Sequence, residues 1–359
     1  MLKIIIFTLL IVGYASTTLL ISVTFGQVIV ALSIMLLMTI WLSLNRHIKF
    51  DILILILILV SLSIVALALK VSLISITLLL LLATMFYYEG DKVNKFALKF
   101  YLRLNLCLFL IVVFFYFLTG FNEEYDMTMW RIDEVIERSA LGFSQPNQAM
   151  MLWMSIIISI LAFSNKKNAK KLSMFVLVTS LVVYAFTLSR TSTLIIVLIC
   201  GYIFLFSRTL NEPVKKSYRF LLAVFPIICL IISFILVLTP YNVIFNELLS
   251  GRLALYQSFY NEFGLTLLGS SELEDAMFDN AYLQALLAKG IMFTCLLMFT
   301  FFLLIIRLRH LEKLDAILIL AYFICGMAET MFFKFEILIL ILMLMFRNNN
   351  KKIEIYQES

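Results

Sequence analysis

Apolar stretches long enough to cross a lipid bilayer recur from one end of this chain to the other. With 63% of its residues hydrophobic and 14% charged, the chain has the make-up of a polytopic membrane protein, not of a soluble domain. Lys3 ahead of the first apolar run imitates a signal peptide, but so many further runs follow that it reads as the first retained helix. A net charge of +6 would point to nucleic acid in a soluble protein. Basic loops on the cytoplasmic side account for it here, and no nucleic-acid partner is expected. The cysteines all sit inside apolar runs, as small packing residues and not as a disulfide or metal framework. No metal and no cofactor is expected.

The runs predict an all-α protein of about twelve transmembrane helices. They cover 2–23, 26–44, 52–69, 71–87, 97–118, 147–164, 172–188, 191–207, 220–238, 282–306, 316–331 and 335–346, within one integral membrane domain over 1–359. Two hairpins are cramped, one near Lys70 and one near Lys334. With both termini in the cytoplasm, the basic clusters 92–103, 166–171, 208–219, 307–313 and 347–352 all fall inside. Only Lys70, Arg131, Arg138, Arg190, Arg252, Lys289 and Lys334 are left outside or near the outer surface. That is the positive-inside pattern.

Two outer segments, 119–146 and 239–281, are too long and polar to be simple connectors. Met129, Ile132, Ile136 and Ala140 in the first, and Arg252, Tyr256, Phe259 and Phe263 in the second, recur at helical spacing. Both segments are therefore expected to hold interfacial helices. The second is where chemistry on a polar substrate has room.

The candidates are few, and each has a bland reading beside the functional one. Arg190, in a polar break between two apolar runs, is costly unless solvated, paired or bound to an anion; otherwise it snorkels above a helix that Ser189 caps. Arg252 follows Ser250-Gly251, a helix start. It is either a headgroup-level arginine or a bidentate phosphate ligand, which a guanidinium fork suits better than an ammonium does. Asp279 precedes Asn280 and Tyr282 at the mouth of a helix, so it is either an N-cap or a base for a sugar hydroxyl. His47 and His310 fall in cytoplasmic loops, which leaves a carboxylate for any outer-face base. Pro146 is ordinary helix initiation, while Asn147 and Gln148 beside it can donate to sugar hydroxyls. Glu329, near the outer end of the eleventh span, is a second carboxylate or half of a self-satisfied pair with Lys334. No glycine-rich phosphate loop is present.

At these residues the chain resembles the O-antigen ligase and polysaccharide polymerase family of bacterial envelope glycosyltransferases. Gly142-Phe143-Ser144-Gln145-Pro146-Asn147 is similar to its Gly-x-x-x-Pro-Asn pattern. Ser189-Arg190-Thr191 resembles its Ser-Arg-Thr/Ser turn, with Gly201 at the Arg-x10-Gly spacing of polymerases. Gly251-Arg252-x-x-Leu255-Tyr256, Leu268-Gly269 and Asp279-Asn280-Ala281-Tyr282-Leu283-Gln284 are similar to its loop signature. Ligases of the family usually carry histidine where this chain has Asp279, which favours a polymerase.

The resemblance implies a GT-C-like, metal-independent bundle in the bacterial cytoplasmic membrane that polymerises repeat units carried on undecaprenyl diphosphate. It implies Arg190 and Arg252 as diphosphate clamp and Asp279 as base. Asn280, Tyr282, Asn147, Gln148, Tyr256 and Glu329 would bind substrate. Membrane lipid, a flippase and a chain-length regulator would be partners. A ligase with another acceptor, a flippase or transporter of lipid-linked sugar, and a nonenzymatic assembly scaffold are the rival readings.

Overall fold

A computed structural model of the chain describes residues 2–44, 74–88, 91–131, 134–165, 167–240, 246, 251–273, 276 and 278–348. The expected helix over 52–69, the hairpin near Lys70 and the position of Ile132 lie outside the described residues. Long apolar runs with few glycine or proline breaks favour helix, and helix is what most described residues form. In order these are α1 (Leu2–Thr17), α2 (Val23–Leu44), α3 (Ile74–Tyr88), α4 (Asp91–Thr119) and α5 (Pro146–Leu161), then α6 (Ala169–Thr187), α7 (Arg190–Leu205) and α8 (Lys216–Leu238). The remainder are α9 (Arg252–Phe263), α10 (Ile291–Arg307), α11 (Lys313–Cys325) and α12 (Phe335–Phe346).

Three of them, α4, α6 and α8, are long and apolar enough to cross a membrane. Much of their apolar surface faces outward: Phe114 and Phe117 on α4, Phe175 and Val182 on α6, and Ile231 and Ile235 on α8 are all exposed. Apolar patches this extensive are stable against lipid and not against water. α1, α5, α7, α10 and α12 are apolar but shorter.

The core is built on α12, whose residues from Phe335 to Phe346 are all buried. A helix apolar on every face belongs at the centre of a bundle. It packs against α1, α3, α4, α5 and α11. Buried polar side chains tie these helices together. Tyr14 Oη donates to Asn105 Oδ1 (2.6 Å), Asn105 Nδ2 donates to Ser155 Oγ (2.8 Å), and Tyr101 Oη donates to the Glu336 carbonyl (2.7 Å). Each such group would cost about 1–3 kcal/mol if left unmatched in this interior.

Hydrogen bonds between connectors sort the helix ends into two sets. At one end Val214 N–H meets the Leu311 carbonyl, Leu314 N–H meets the Leu210 carbonyl, and Asn94 Nδ2 reaches the Phe346 carbonyl. At the other, Ser144 N–H meets the Thr17 carbonyl, Ser139 N–H meets that of Phe186, and Ala281 N–H meets that of Gly326. The first end carries the basic connectors. The second carries Arg138, Arg190 and Arg252.

Three expectations are corrected. The 119–146 segment is not an interfacial helix. Met127–Arg131 (β1) and Glu134–Arg138 (β2) pair antiparallel, Met127 opposite Arg138 and Arg131 opposite Glu134. Thr128, Trp130, Val135 and Ile136 are strand formers, and with two residues between the strands the hairpin prevails over the helical spacing. The second segment does hold a helix, α9.

The span expected over 282–306 is interrupted. A short helical turn, Ala281–Leu283, runs into a π turn, Gln284–Ala288, and α10 starts only after Gly290. There Ile291 and Met292 donate to the carbonyls of Thr266 and Leu267, and Ser270 donates to that of Ala288. Gly269 (φ 94°) and Gly290 (φ 91°) make the crossing possible, because a Cβ on Gly290 would lie 2.4 Å from the Gly269 nitrogen. The helix expected over 316–331 stops at Cys325, so Glu329 lies in the connector between α11 and α12.

Gly290→Ala therefore meets both a left-handed φ and a backbone clash, and it is expected to destabilise the fold by about 1–3 kcal/mol. Gly201→Ala, on α7 with nothing within 4 Å of the added methyl, is expected to be neutral or slightly stabilising. Thermal unfolding in detergent, followed by circular dichroism, compares the two; equal midpoints would show that the crossing relaxes freely.

Candidate functional site

A cavity of about 330 Å³ opens at the end of the bundle away from the basic connectors. Three arginines from three separate segments line it: Arg138 at the end of β2, Arg190 as the first residue of α7, and Arg252 as the first residue of α9.

Local sequence explains each placement. Leu188 takes a left-handed conformation (φ 48°) that closes α6, and Ser189 begins the turn into α7, which leaves Arg190 exposed at the helix start. Gly251 (φ 80°) supplies the same reversal before Arg252. The hairpin delivers Arg138, which is 7% exposed. It donates from Nε to the Thr187 carbonyl (2.8 Å) and from an Nη to Asn147 Oδ1 (2.6 Å).

Asp279 forms an ion pair with Arg252, Oδ2 to Nε at 2.8 Å, with both side chains partly exposed to the cavity. The helix cap that the sequence allowed Asp279 belongs instead to Asn280. Its Oδ1 accepts from the N–H groups of Tyr282 and Leu283, and its Nδ2 donates to Ser233 Oγ. One residue of register thus separates the cap from the ion pair, and Asp279 is left facing the cavity. Its backbone N–H donates to Tyr256 Oη (3.0 Å), and the Tyr256 ring stacks on Phe278 at 6.0 Å. Burial, and then the nearby Asp279 charge, push the Tyr256 hydroxyl well above its usual range, so it stays protonated.

The field in the cavity favours anions. Three guanidinium groups face one lining carboxylate, and the N-termini of α5, α7 and α9 all reach the lining through Asn147, Arg190 and Arg252. Helix N-termini carry partial positive charge and unpaired N–H groups, which stabilise a bound anion. A cation as the first residue of a helix is unfavourable by the same dipole, so Arg190 and Arg252 cost their helices stability where they stand.

Six expected site residues meet in this cavity: Arg190, Arg252, Asp279, Asn280, Asn147 and Tyr256. Three do not. Tyr282 turns into the core, where its hydroxyl donates to the Phe323 carbonyl (3.0 Å) and its ring meets Phe332 edge-on at 4.9 Å. The Asn280 cap sets the helical phase that sends it there. Gln148, one residue from Asn147 and so rotated away on the same helix, accepts from Ser144 Oγ and faces a different cavity.

Glu329 is 4% exposed and lies behind the wall formed by Met327 and Ala328. Burial pushes its carboxyl up to about 8, and the Asp279 charge adds to the rise against the opposing pull of Arg252, Lys334 and Arg138. Arg138 went unselected in the sequence. Its only signal there was a place among the few basic residues on the outer side.

Comparison of the chain with protein-family models, with curated proteins and with solved structures finds no match.

Two outcomes are expected from this geometry. Asn280→Ala removes a cap and is expected to lower stability by about 1–2 kcal/mol, whereas Asp279→Ala breaks a partly exposed pair and costs under about 1 kcal/mol. Equal losses in chemical unfolding would place the cap elsewhere. For Glu329 the folded-state pKa is raised, so its contribution to stability is present at low pH and is lost as pH rises through about 8. The native protein is expected to lose melting temperature as pH rises from about 4.5 to about 8, and Glu329→Gln to flatten that slope. An unchanged slope would show that the carboxyl is solvated.

Proposed function

We propose that this protein is a metal-independent glycosyltransferase that polymerises undecaprenyl-diphosphate-linked oligosaccharide repeat units into a surface polysaccharide. The polymer would be capsular, exopolysaccharide or O-antigen, made at the outer face of the bacterial cytoplasmic membrane. In this reading the protein is multi-pass, with about twelve spans and both termini in the cytoplasm. The basic connectors lie inside and the arginine cavity lies outside, as the positive-inside rule asks. The observation that carries the proposal is the cavity itself. Three arginines and three helix N-termini converge beside one ion-paired carboxylate, next to helices whose exposed surface is apolar.

A lipid diphosphate fits both features, because its phosphates need cations and its polyprenyl tail needs an apolar flank. On arrival the diphosphate competes with Asp279 for Arg252, and the exchange releases the Asp279 carboxylate. The nonreducing-end hydroxyl of one unit then attacks the anomeric carbon of the other glycan. A new C–O bond forms with inversion, and the bond to diphosphate breaks. Its electron pair leaves on undecaprenyl diphosphate, and the hydroxyl proton passes to Asp279. Arg190, Arg252 and Arg138 stabilise the negative charge that grows on the leaving group. Asn147 and Asn280 sit where sugar hydroxyls approach, and Tyr256 holds the Asp279 backbone in register. A flippase that delivers the units and a chain-length regulator would act beside it.

A ligase moving the glycan to another acceptor would use the same cavity. Asp279, in place of the histidine usual in such ligases, favours the polymerase. A transporter would need charge spread along a central path, whereas these arginines gather at one end of the bundle.

The decisive assay adds membranes holding the protein to purified undecaprenyl-diphosphate repeat unit and resolves the glycans on a gel. A ladder is expected from the native protein. Arg252→Ala and Arg190→Ala are expected to cut product at least about 100-fold, the scale for losing a charge-stabilising group, with protein levels in the membrane unchanged. Normal ladders from both variants would sink the diphosphate clamp, and no ladder from the native protein would turn the reading toward a ligase or a transporter.

A further inference from the structure

A second cavity, of about 100 Å³, opens at the same end of the bundle on the far side of the α5 N-terminus. Consecutive residues divide the two: Asn147 lines the arginine cavity and Gln148 lines this one. Lys334 and Glu336 from the start of α12, Ser16, Thr17 and Gln27 from α1 and α2, and Ser144 before α5 supply the other polar groups.

Glu336 is the unusual member. It is 4% exposed and faces the cavity. Apart from its own backbone N–H, its carboxylate has no hydrogen-bond or ion-pair partner among the described residues. The fold makes a seat for it, since a Cβ on Gly13 of α1 would lie 2.8 Å from its Oε2. A buried carboxylate held in this way, with the Lys334 charge nearby but no hydrogen-bond donor from another residue, is costly unless something else completes its bonding.

The lining narrows the choice. The Lys334 ammonium interacts electrostatically with Glu336, so a bare cation would be repelled by one and an anion by the other. What remains is a neutral group that donates to the carboxylate and accepts from the ammonium and the Gln148 amide. Hydroxyls do both. The volume corresponds to about three waters, well short of an oligosaccharide and suited to one edge of a single ring.

We infer that this cavity binds the hydroxyl-bearing edge of one sugar ring, with Glu336 as acceptor and Lys334 and Gln148 as donors, and that this ring is the terminal sugar of the second glycan. The hydroxyl-binding site stands on the cavity's own groups; its assignment to the second glycan rests on the glycosyltransferase reading above. Placement supports the link. Lys334 interacts with Glu329, and Glu329 interacts with Asp279 and Arg252, so charged groups run from one cavity to the other behind Ala328. Two glycans lodged on either side of the Asn147 turn would meet at it, which is the alignment that a two-substrate transfer needs.

The test uses the full chain in nanodiscs and two probes. The first is a pool of glucose, galactose, mannose, N-acetylglucosamine and N-acetylgalactosamine, read by saturation-transfer NMR. At least one sugar is expected to show transfer from the native protein. That signal is expected to fall at least tenfold in Glu336→Gln, to weaken in Gln148→Ala and to persist in Arg252→Ala. No signal from any sugar, or a signal that survives both Glu336→Gln and Gln148→Ala, overturns the site. Should Glu336→Gln not fold, Gln148→Ala decides alone, because its side chain is half-buried and its loss leaves no cavity in the core.

The second probe is undecaprenyl diphosphate, read as a rise in melting temperature that is expected to vanish in Arg252→Ala and to remain in Glu336→Gln. Sugar binding without a diphosphate effect would sink the glycosyltransferase reading and keep this site. A diphosphate effect without sugar binding would do the reverse.

Discussion

A guanidinium among apolar helices has to be solvated, paired or bound to an anion, and one end of this bundle is arranged around three of them. Arg138 is held by the Thr187 carbonyl and Asn147, Arg252 is held by Asp279, and Arg190 projects from the start of its helix. Dispersing these charges over the surface would satisfy each one more cheaply. Gathering them beside three helix N-termini raises the energy of the empty site and lowers that of an anion-filled one. That difference in free energy is what favours an anion in the cavity.

The rest of the fold serves to hold that end still. α12 is buried on all sides, so its N-terminus, with Lys334 and Glu336, is fixed by packing and not by solvent contacts. Tyr14, Asn105 and Ser155 link α1, α4 and α5, and Tyr101 fastens α4 to α12 at Glu336 itself. Polar cross-links in an apolar interior specify which helix faces meet, because any other pairing leaves one of these groups unmatched. At the opposite end Arg347 pairs with Asp315 at 2.7 Å, and the connectors at 210–214 and 311–314 bond to each other. Both ends are pinned, and the helices between them meet their surroundings with apolar surface.

Helices were the legible part of the chain. The expected positions agree with α1, α2 and α3 through α8 apart from shifts at their ends, because long apolar runs admit little else. The departures share one cause, a backbone choice decided by partners far away in sequence. At 127–138, helical spacing and strand propensity compete, and Tyr116 and Phe186 help settle it: Tyr116 Oη holds Asp126, Asp126 takes the Ala140 N–H, and the Phe186 carbonyl takes that of Ser139. At Gly290 the helix breaks because residues 266–270 cross it, a contact that local composition does not announce. After Cys325 the chain leaves the helix although its residues remain mostly apolar, and it carries Glu329 into a buried connector beside Met327 and Ala328.

The candidate site divides in the same way. Arg190, Arg252 and Asp279 could be singled out from the chain alone, since a charge next to membrane-length apolar runs is conspicuous, Arg190 in a short polar break and the other two in the long polar segment 239–281. Composition and periodicity by themselves determined a helical protein with membrane-length apolar segments. That much follows from local hydropathy, which needs no knowledge of neighbours. The tertiary structure alone decided that the cap goes to Asn280 and the ion pair to Asp279, and that Tyr282 packs inward. It alone decided that Arg138 joins the other two arginines and that Asn147 and Gln148 part into separate cavities. Those outcomes turn on one residue of helical phase or on the crossing of distant segments, and hydropathy is blind to both.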